Sequence, residues 1–305
     1  MIDIYSIDYK KFLQELPQPF NLSSLHEYLN GGRQDVLDNT DIFFENVRSK
    51  DLREKKFDLF KKSDKIDKNT VIVFPFYLEL FEYFGQFKNI QYSIKTIAER
   101  FPNNKIIFFW NHDTDFAKYN KTVKPYSNVK IINYNTSQKT SNDIIVPFWS
   151  MGDIEPLKNK KEIFCSFIGS VNNNLRNQVA LNLCGPNKFF YINNLNSAEF
   201  RNFLSKTTFS LCPKGVGLSS YRFFECFHAN SIPVLIADDI ILPYEEIIDY
   251  NKLIIRIPES KVSDYEYIIK ILNSINSEEM LENITKYREY FTLSGIQEYV
   301  YNNLK

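Results

Sequence analysis

The chain has no excess of either charge: 37 Lys and Arg stand against 37 Asp and Glu over 305 residues. Without a global field or a basic stripe, bulk charge recruits neither nucleic acid nor anionic lipid, so any bound anion must be held by a local cluster. Cysteine is scarce. Cys165, Cys184, Cys212 and Cys226 form no CxxC pair and sit in or beside apolar runs, so they read as reduced core residues. No apolar stretch approaches the roughly 20 residues that span a bilayer. The amino end, Met1-Ile2-Asp3-Ile4-Tyr5, lacks the basic segment and apolar run of a secretion signal. These absences set the expectation of a cytoplasmic protein without a transmembrane segment, able to associate peripherally with a membrane through its substrate. Internal repeats and low-complexity tracts are missing as well.

What is present is ample core material, with 44% hydrophobic and 16% aromatic residues, which excludes disorder as the dominant state. Short β-branched and aromatic runs alternate with stretches of helical pattern. The runs are 70–76 (TVIVFPF), 105–110 (KIIFFW), 129–133, 144–146, 163–168 (IFCSFI), 189–192, 208–211, 232–236 (IPVLI) and 253–257 (LIIRI). Runs this short and apolar suit strands of a parallel sheet, buried on both faces, and the intervening stretches 90–101 and 221–229 suit its helices. The pattern predicts α/β layering. A polar tract at 133–142 and a Pro- and Lys-bearing stretch at 147–161 divide it, which places a domain boundary near Pro156. Two such domains facing a cleft would present strand carboxyl ends and helix amino ends to it, where open α/β sheets bind ligands. The last stretch, 278–305, is helical in pattern and is expected to lean back on the first domain.

The segment 208–239 (TFSLCPKGVGLSSYRFFECFHANSIPVLIADD) carries the chemistry. It reads as strand, loop with Pro213, Lys214, Gly215 and Gly217, serine cap at Ser219 or Ser220, helix, then strand. That arrangement offers free backbone amides to a phosphate. Lys214 and Arg222 would add charge, and an arginine fork can hold two phosphate oxygens at once. The same residues also suit a surface loop with two solvated bases. Glu225 lies amid Phe223, Phe224, Cys226 and Phe227, where a carboxylate is costly unless partnered. It could pair with Arg222 or accept from ribose hydroxyls.

Residues 212–250 (CPKGVGLSSYRFFECFHANSIPVLIADDIILPYEEIIDY), with Phe209 and Leu211 just before them, resemble the signature of the exostosin-type glycosyltransferases, family 47. The matching positions are Phe209, Leu211, Pro213, Gly215, Ser220, Arg222, Glu225, Ala229, Ile232, Pro233, Val234, Leu242, Pro243, Glu246 and Asp249. Weaker likeness lies in 71–77 (VIVFPFY), in Asn111-His112-Asp113, in 143–147 (DIIVP), and in Phe167-Ile168-Gly169 with Arg176. Lys214 stands where the family usually has arginine. The resemblance implies a minimal catalytic unit of two Rossmann-like domains in the GT-B arrangement. In it, residues 1–155 would bind the acceptor, 156–285 the nucleotide sugar, and 286–305 would form the returning helix. It further implies a UDP-linked donor, transfer with inversion, and a glycan or lipid-linked glycan acceptor in polysaccharide or surface-glycan synthesis.

On that basis the donor-site residues are Gly169, Arg176, Pro213, Lys214, Gly215, Ser219, Ser220, Arg222 and Glu225, with Arg176, Lys214 and Arg222 around the diphosphate. Three cations there would make a metal redundant, so no metal or other cofactor is expected. Asp113 or His112 would be the base that takes the acceptor's proton, with Glu79 a third candidate. Two alternatives stay open. Asp113-Thr114-Asp115 could instead be the metal motif of a metal-dependent transferase, or the chain could bind nucleotide or carbohydrate without catalysis. His26 and His228 read as structural, and Trp110 and Trp149 as candidates for stacking on a sugar.

Overall fold

The computed structural model describes residues 1–20, 59–110, 113–148, 157 and 159–305, so His26, His112, Trp149 and Pro156 lie outside the described residues. Every run singled out above forms a strand. β1 (Ile2–Ser6), β2 (Phe60–Lys62), β3 (Val71–Tyr77), β4 (Ile106–Trp110), β5 (Val129–Asn133) and β6 (Asp143–Ile145) make a sheet in the order β2-β1-β3-β4-β5-β6. β7 (Ile163–Ile168), β8 (Phe190–Ile192), β9 (Thr207–Pro213), β10 (Ile232–Ile236) and β11 (Ile255–Arg256) make a second, in the order β11-β10-β9-β7-β8. All pairings are parallel. Parallel neighbours need a crossover that covers a sheet face. Accordingly, all five residues of β4 and all five of β10 are buried.

β1 and β2 are additions to the strands read from sequence. Their segments, IDIYS and FKK, carry charge or polarity and bury little, Ile4 being the fully enclosed member of β1. Pro233 sits in β10, between two neighbouring strands, without disrupting the far pairing. β11 pairs only with Val234 and Leu235, beyond the missing proline N–H.

Among the helices, α1 (Phe87–Arg100) buries Ile90, Ile94 and Ile97, the spacing of one helical face. α2 (Asn174–Leu183) starts where the Asn173 side chain accepts from the Arg176 backbone N–H. α3 (Ser197–Lys206) starts on a capping box between Asn196 and Glu199. α4 (Tyr221–His228) follows the glycine-bearing loop. The carboxyl-terminal stretch is two helices, α5 (Ser277–Tyr287) and α6 (Leu293–Leu304), rather than one. Where the chain turns between them, the backbone carbonyl oxygen of Glu289 lies well inside contact distance of where a Cβ on Gly295 would be, an approach only glycine allows.

The chain divides into two compact units, one of 1–112, 116–146 and 296–305, the other of 113–115 and 147–295. The division thus falls at Val146–Pro147, ahead of the Pro156 read from sequence. Only residues from Ile296 onward group with the first unit, where Lys105 Nζ donates to the Leu304 carbonyl at 2.7 Å. Residues 286–295, assigned to the returning helix, group with the second. No helix among the described residues is long and apolar enough to cross a membrane.

Candidate functional site

The loop between β9 and α4 is held from three sides. Pro213, the last residue of β9, is in register with Ile236 of β10, and Lys214 N donates to the Ile236 carbonyl at 3.1 Å. Gly215 N donates to the Ser219 carbonyl at 2.9 Å, closing the loop, and a Cβ at Gly215 would stand 3.1 Å from that oxygen. From α2, Asn173 Nδ2 donates to the Lys214 carbonyl at 3.2 Å and the Gly215 carbonyl at 2.8 Å.

Arg176 shapes this loop, whereas the sequence reading gave it to the diphosphate. It is only 9% exposed. Its Nε donates to the Lys214 carbonyl at 3.1 Å, Nη1 to the Ser170 carbonyl at 3.4 Å and Nη2 to Ser220 Oγ at 3.2 Å. Burial, then the nearby Arg222 charge, pulls its pKa below the usual arginine value, while Cys212 and Asp113 pull the other way.

Arg222, in the first turn of α4, is the one of these three cations whose guanidinium leaves nitrogens without a hydrogen-bond partner. Its guanidinium carbon lies 5.7 Å from the Phe167 ring centroid and 5.5 Å from that of Phe200. Nε and Nη1 are buried without a hydrogen-bond partner, so they do not donate to Glu225. A buried charged donor left unmade is expensive, and such a group asks for an explanation. Gly169 provides the seat. Its φ is +144°, and a Cβ there would lie 2.5 Å from Nη2 and 2.6 Å from Nη1 of Arg222. Gly169 therefore serves the site by making room for an arginine.

Lys214 Nζ donates to Glu259 Oε1 at 2.7 Å, so its charge is engaged by a carboxylate. Ser220 occupies the cap position of α4 but makes no side-chain cap bond, its Oγ accepting from Arg176 instead. Ser219 Oγ is buried without a hydrogen-bond partner. Glu225, half-buried on α4, projects from the same helix as Arg222.

Asp113 is exposed and groups with the second unit, whereas the sequence reading set the Asp113–Asp115 triplet in the other half from the phosphate candidates. Glu79, by contrast, is buried in the first unit. Trp110 is fully enclosed, its ring 5.2 Å from that of Phe116 and 5.3 Å from that of Tyr119, so it is core and not a sugar platform. All four cysteines are buried free thiols, as read from sequence. Among the described residues no group of three or more His, Cys, Asp or Glu side chains is gathered to hold a metal.

Sequence reasoning missed Asn173, Glu259 and Lys161. The Lys161 ammonium donates to the carbonyls of Ser205 at 2.7 Å, Thr207 at 3.1 Å and Asn230 at 2.5 Å, tying the end of α3 to β9 and to the turn before β10. Burial lowers its pKa to about 8, which keeps it mostly charged at neutral pH. None of the three belongs to a motif, and their partners are remote in sequence.

His228 is structural, as expected. At the end of α4 its Nε2–H donates to the Phe291 carbonyl at 3.0 Å, and Nδ1 is buried without a partner. Burial, with Arg288 adding to it, lowers its pKa from 6.5 to about 4 against the pull of that carbonyl. The unfolded chain therefore takes up this proton at higher pH than the folded one. Stability that is complete above pH 6.5 should fall as pH drops toward 4, by up to about 3 kcal/mol. Thermal unfolding of wild type and His228→Gln across that range checks this. The variant should lose that part of the slope, and identical slopes would reject the assignment.

Two Rossmann-like units in one chain are the make-up of the GT-B class, and the second carries an arginine-bearing loop and helix at a strand's carboxyl end. The Exostosin GT47 domain profile matches residues 100–275, more than half of the chain, and the chain belongs to that family. It is similar to a probable glucuronosyltransferase of Oryza sativa subsp. japonica, 26% identical over 141 residues, which cover 43% of this chain and 33% of the relative. It is also similar to the Exostosin-1 homolog of Caenorhabditis elegans, 41% identical over 61 residues, covering 20% of this chain and 16% of the relative. The matches thus span a third or less of those relatives' length. Among solved structures, T4 phage BGT in complex with its UDP-glucose substrate aligns over 100% of this chain and 99% of its own, at 12% identity and a TM-score of 0.39. The pneumococcal O-GlcNAc transferase GtfA, in complex with UDP and GlcNAc, aligns over 78% of this chain and 57% of its own, at 10% identity and a TM-score of 0.42.

Proposed function

We propose that this chain is an inverting glycosyltransferase that takes a UDP-linked sugar in its second unit and transfers it to a glycan or lipid-linked glycan, in polysaccharide or surface-glycan synthesis. The observation that carries the reading is Arg222, whose buried, unpartnered Nε and Nη1 stand at the start of a helix with no side-chain cap. An anion there would meet the fork, the Ser219 hydroxyl and the first-turn amides together. Glu225 is assigned to the ribose hydroxyls. Asp113 is assigned as the base. It would take the acceptor hydroxyl's proton as that oxygen bonds the anomeric carbon. The bond from this carbon to the diphosphate oxygen would break with its electron pair, leaving the nucleoside diphosphate. Charge gathering on that group would be met by Arg222 and the loop amides, without a metal.

The name of the Oryza sativa relative, a probable glucuronosyltransferase, makes UDP-glucuronic acid the first donor to try. In a panel of nucleotide sugars, the true donor at a hundred times its Kd should add about 2.7 kcal/mol to stability. No stabilisation by UDP or any UDP-sugar at millimolar concentration would reject the reading, and unchanged UDP affinity in a folded Glu225→Ala variant would remove the ribose role. The grouping of Asp113–Asp115 with the second unit favours a second reading, in which the triplet carries a metal to the diphosphate. Asp113→Asn separates the two. The base role predicts lost transfer with donor binding intact and activity unaffected by EDTA. The metal role predicts loss of both and rescue of EDTA-treated enzyme by manganese.

A further inference from the structure

The loop carries two exploitable cations of opposite mobility. Arg222 is fixed, its guanidinium set against Gly169 and near the rings of Phe167 and Phe200. Lys214 is fixed only in its backbone: its N–H is taken by Ile236, and its carbonyl receives Arg176 Nε and Asn173 Nδ2. Its four-carbon side chain is free to swing, and it is held by one contact, Glu259 Oε1 at 2.7 Å. The two side chains are 28% and 23% exposed, so the pair is partly shielded from water.

Glu259 does not depend on Lys214 in return. It follows β11, beyond the carboxyl end of that strand, where Oε1 also accepts from Asp238 N at 3.1 Å, and its own N–H donates to Asp238 Oδ1 at 3.0 Å. This reciprocal pair, linking the segments beyond β10 and β11, does not involve the lysine. A diphosphate carries more charge than one carboxylate and offers several acceptor oxygens, so it can win the ammonium from a partner that tolerates losing it.

We propose that Glu259 is a positioning residue that holds Lys214 away from the anion site and yields it to the donor's diphosphate, so that the empty site offers Arg222 alone and the filled site uses both cations. The inference rests on the glycosyltransferase reading for the identity of the anion, but the exchange itself requires only a diphosphate. Removing the carboxylate should free Lys214 in advance and strengthen anion binding, the opposite of what loss of a merely structural ion pair does.

Calorimetry with inorganic pyrophosphate and, separately, with UDP tests it on the full chain. Glu259→Gln should bind pyrophosphate about five- to tenfold more tightly than wild type, and the gain should vanish in the Lys214→Gln background. Lys214→Gln alone should weaken binding about tenfold, which gives a readout independent of how well the Glu259 variant folds. Unchanged or weaker pyrophosphate binding by folded Glu259→Gln overturns the proposal. A gain that persists without Lys214, or unaltered affinity in Lys214→Gln, does so too. If pyrophosphate responds as expected while UDP does not bind, the exchange stands and the nucleotide reading falls.

Discussion

Gly169→Ala is expected to lower UDP affinity by about a hundredfold or more, and activity with it, in a chain that still folds. Two costs combine at this position. The backbone φ of +144° is one that L side chains rarely adopt, worth about 1–3 kcal/mol. The added methyl would also stand 2.5 Å from Nη2, 2.6 Å from Nη1 and 2.9 Å from Cζ of Arg222, well inside contact distance. A flexible side chain can retreat from such a clash, but here retreat takes the guanidinium off the proposed phosphate position and away from Phe167 and Phe200. Each charge-assisted bond lost to an anion is worth about 1.5–3 kcal/mol. The fold supplies its own control. Gly185 has a similar φ of +135° with nothing within 4 Å of its Cβ position, so Gly185→Ala bears the backbone cost alone. Calorimetry with UDP and thermal unfolding on both variants should show comparable destabilisation and a binding defect only at Gly169. A Gly169 variant that binds UDP normally would mean that Arg222 does not need this seat.

Arg222→Met should separate stability from function in the opposite direction. Methionine matches the arginine chain as far as Nε, can pack a polarizable sulfur beside the two rings, and brings no buried donor. The wild-type guanidinium leaves Nε and Nη1 unsatisfied, at a cost of about 1–3 kcal/mol for such a group, against cation–π gains of about 0.5–2 kcal/mol. The melting temperature is therefore expected to stay level or rise. Activity should fall about 10²–10³-fold in kcat and kcat/KM together, since bonds to the departing diphosphate strengthen as its charge develops. An arginine retained for packing would give the reverse, a lower melting temperature with UDP binding and kcat intact. Such a result would leave the second unit without its principal anion ligand.

The strands that build both sheets were legible in the sequence because a parallel strand covered on two faces must be apolar along its length, and that is a local property. Runs such as IIFFW and IPVLI carry it without reference to anything else. The order of strand, glycine-bearing loop and helix over 208–239 was legible for the same reason, since backbone conformation and helix entry are set by neighbours in the chain. β1 and β2 were not, because a strand with few buried residues has no apolar run to show. The division of labour within the site was decided only in three dimensions. Arg176, Lys214 and Arg222 are three similar cations in the sequence. Which of them builds the loop, which pairs and which stays open depends on partners 38 and 45 residues away, the Lys214 carbonyl for Arg176 and Glu259 for Lys214. Those partners meet because parallel register gathers the carboxyl ends of β9 and β10 and the segment after β11 at one edge of the sheet. A charge's role follows from what it faces once the chain is folded, and pairings across strands leave no periodic trace in the sequence.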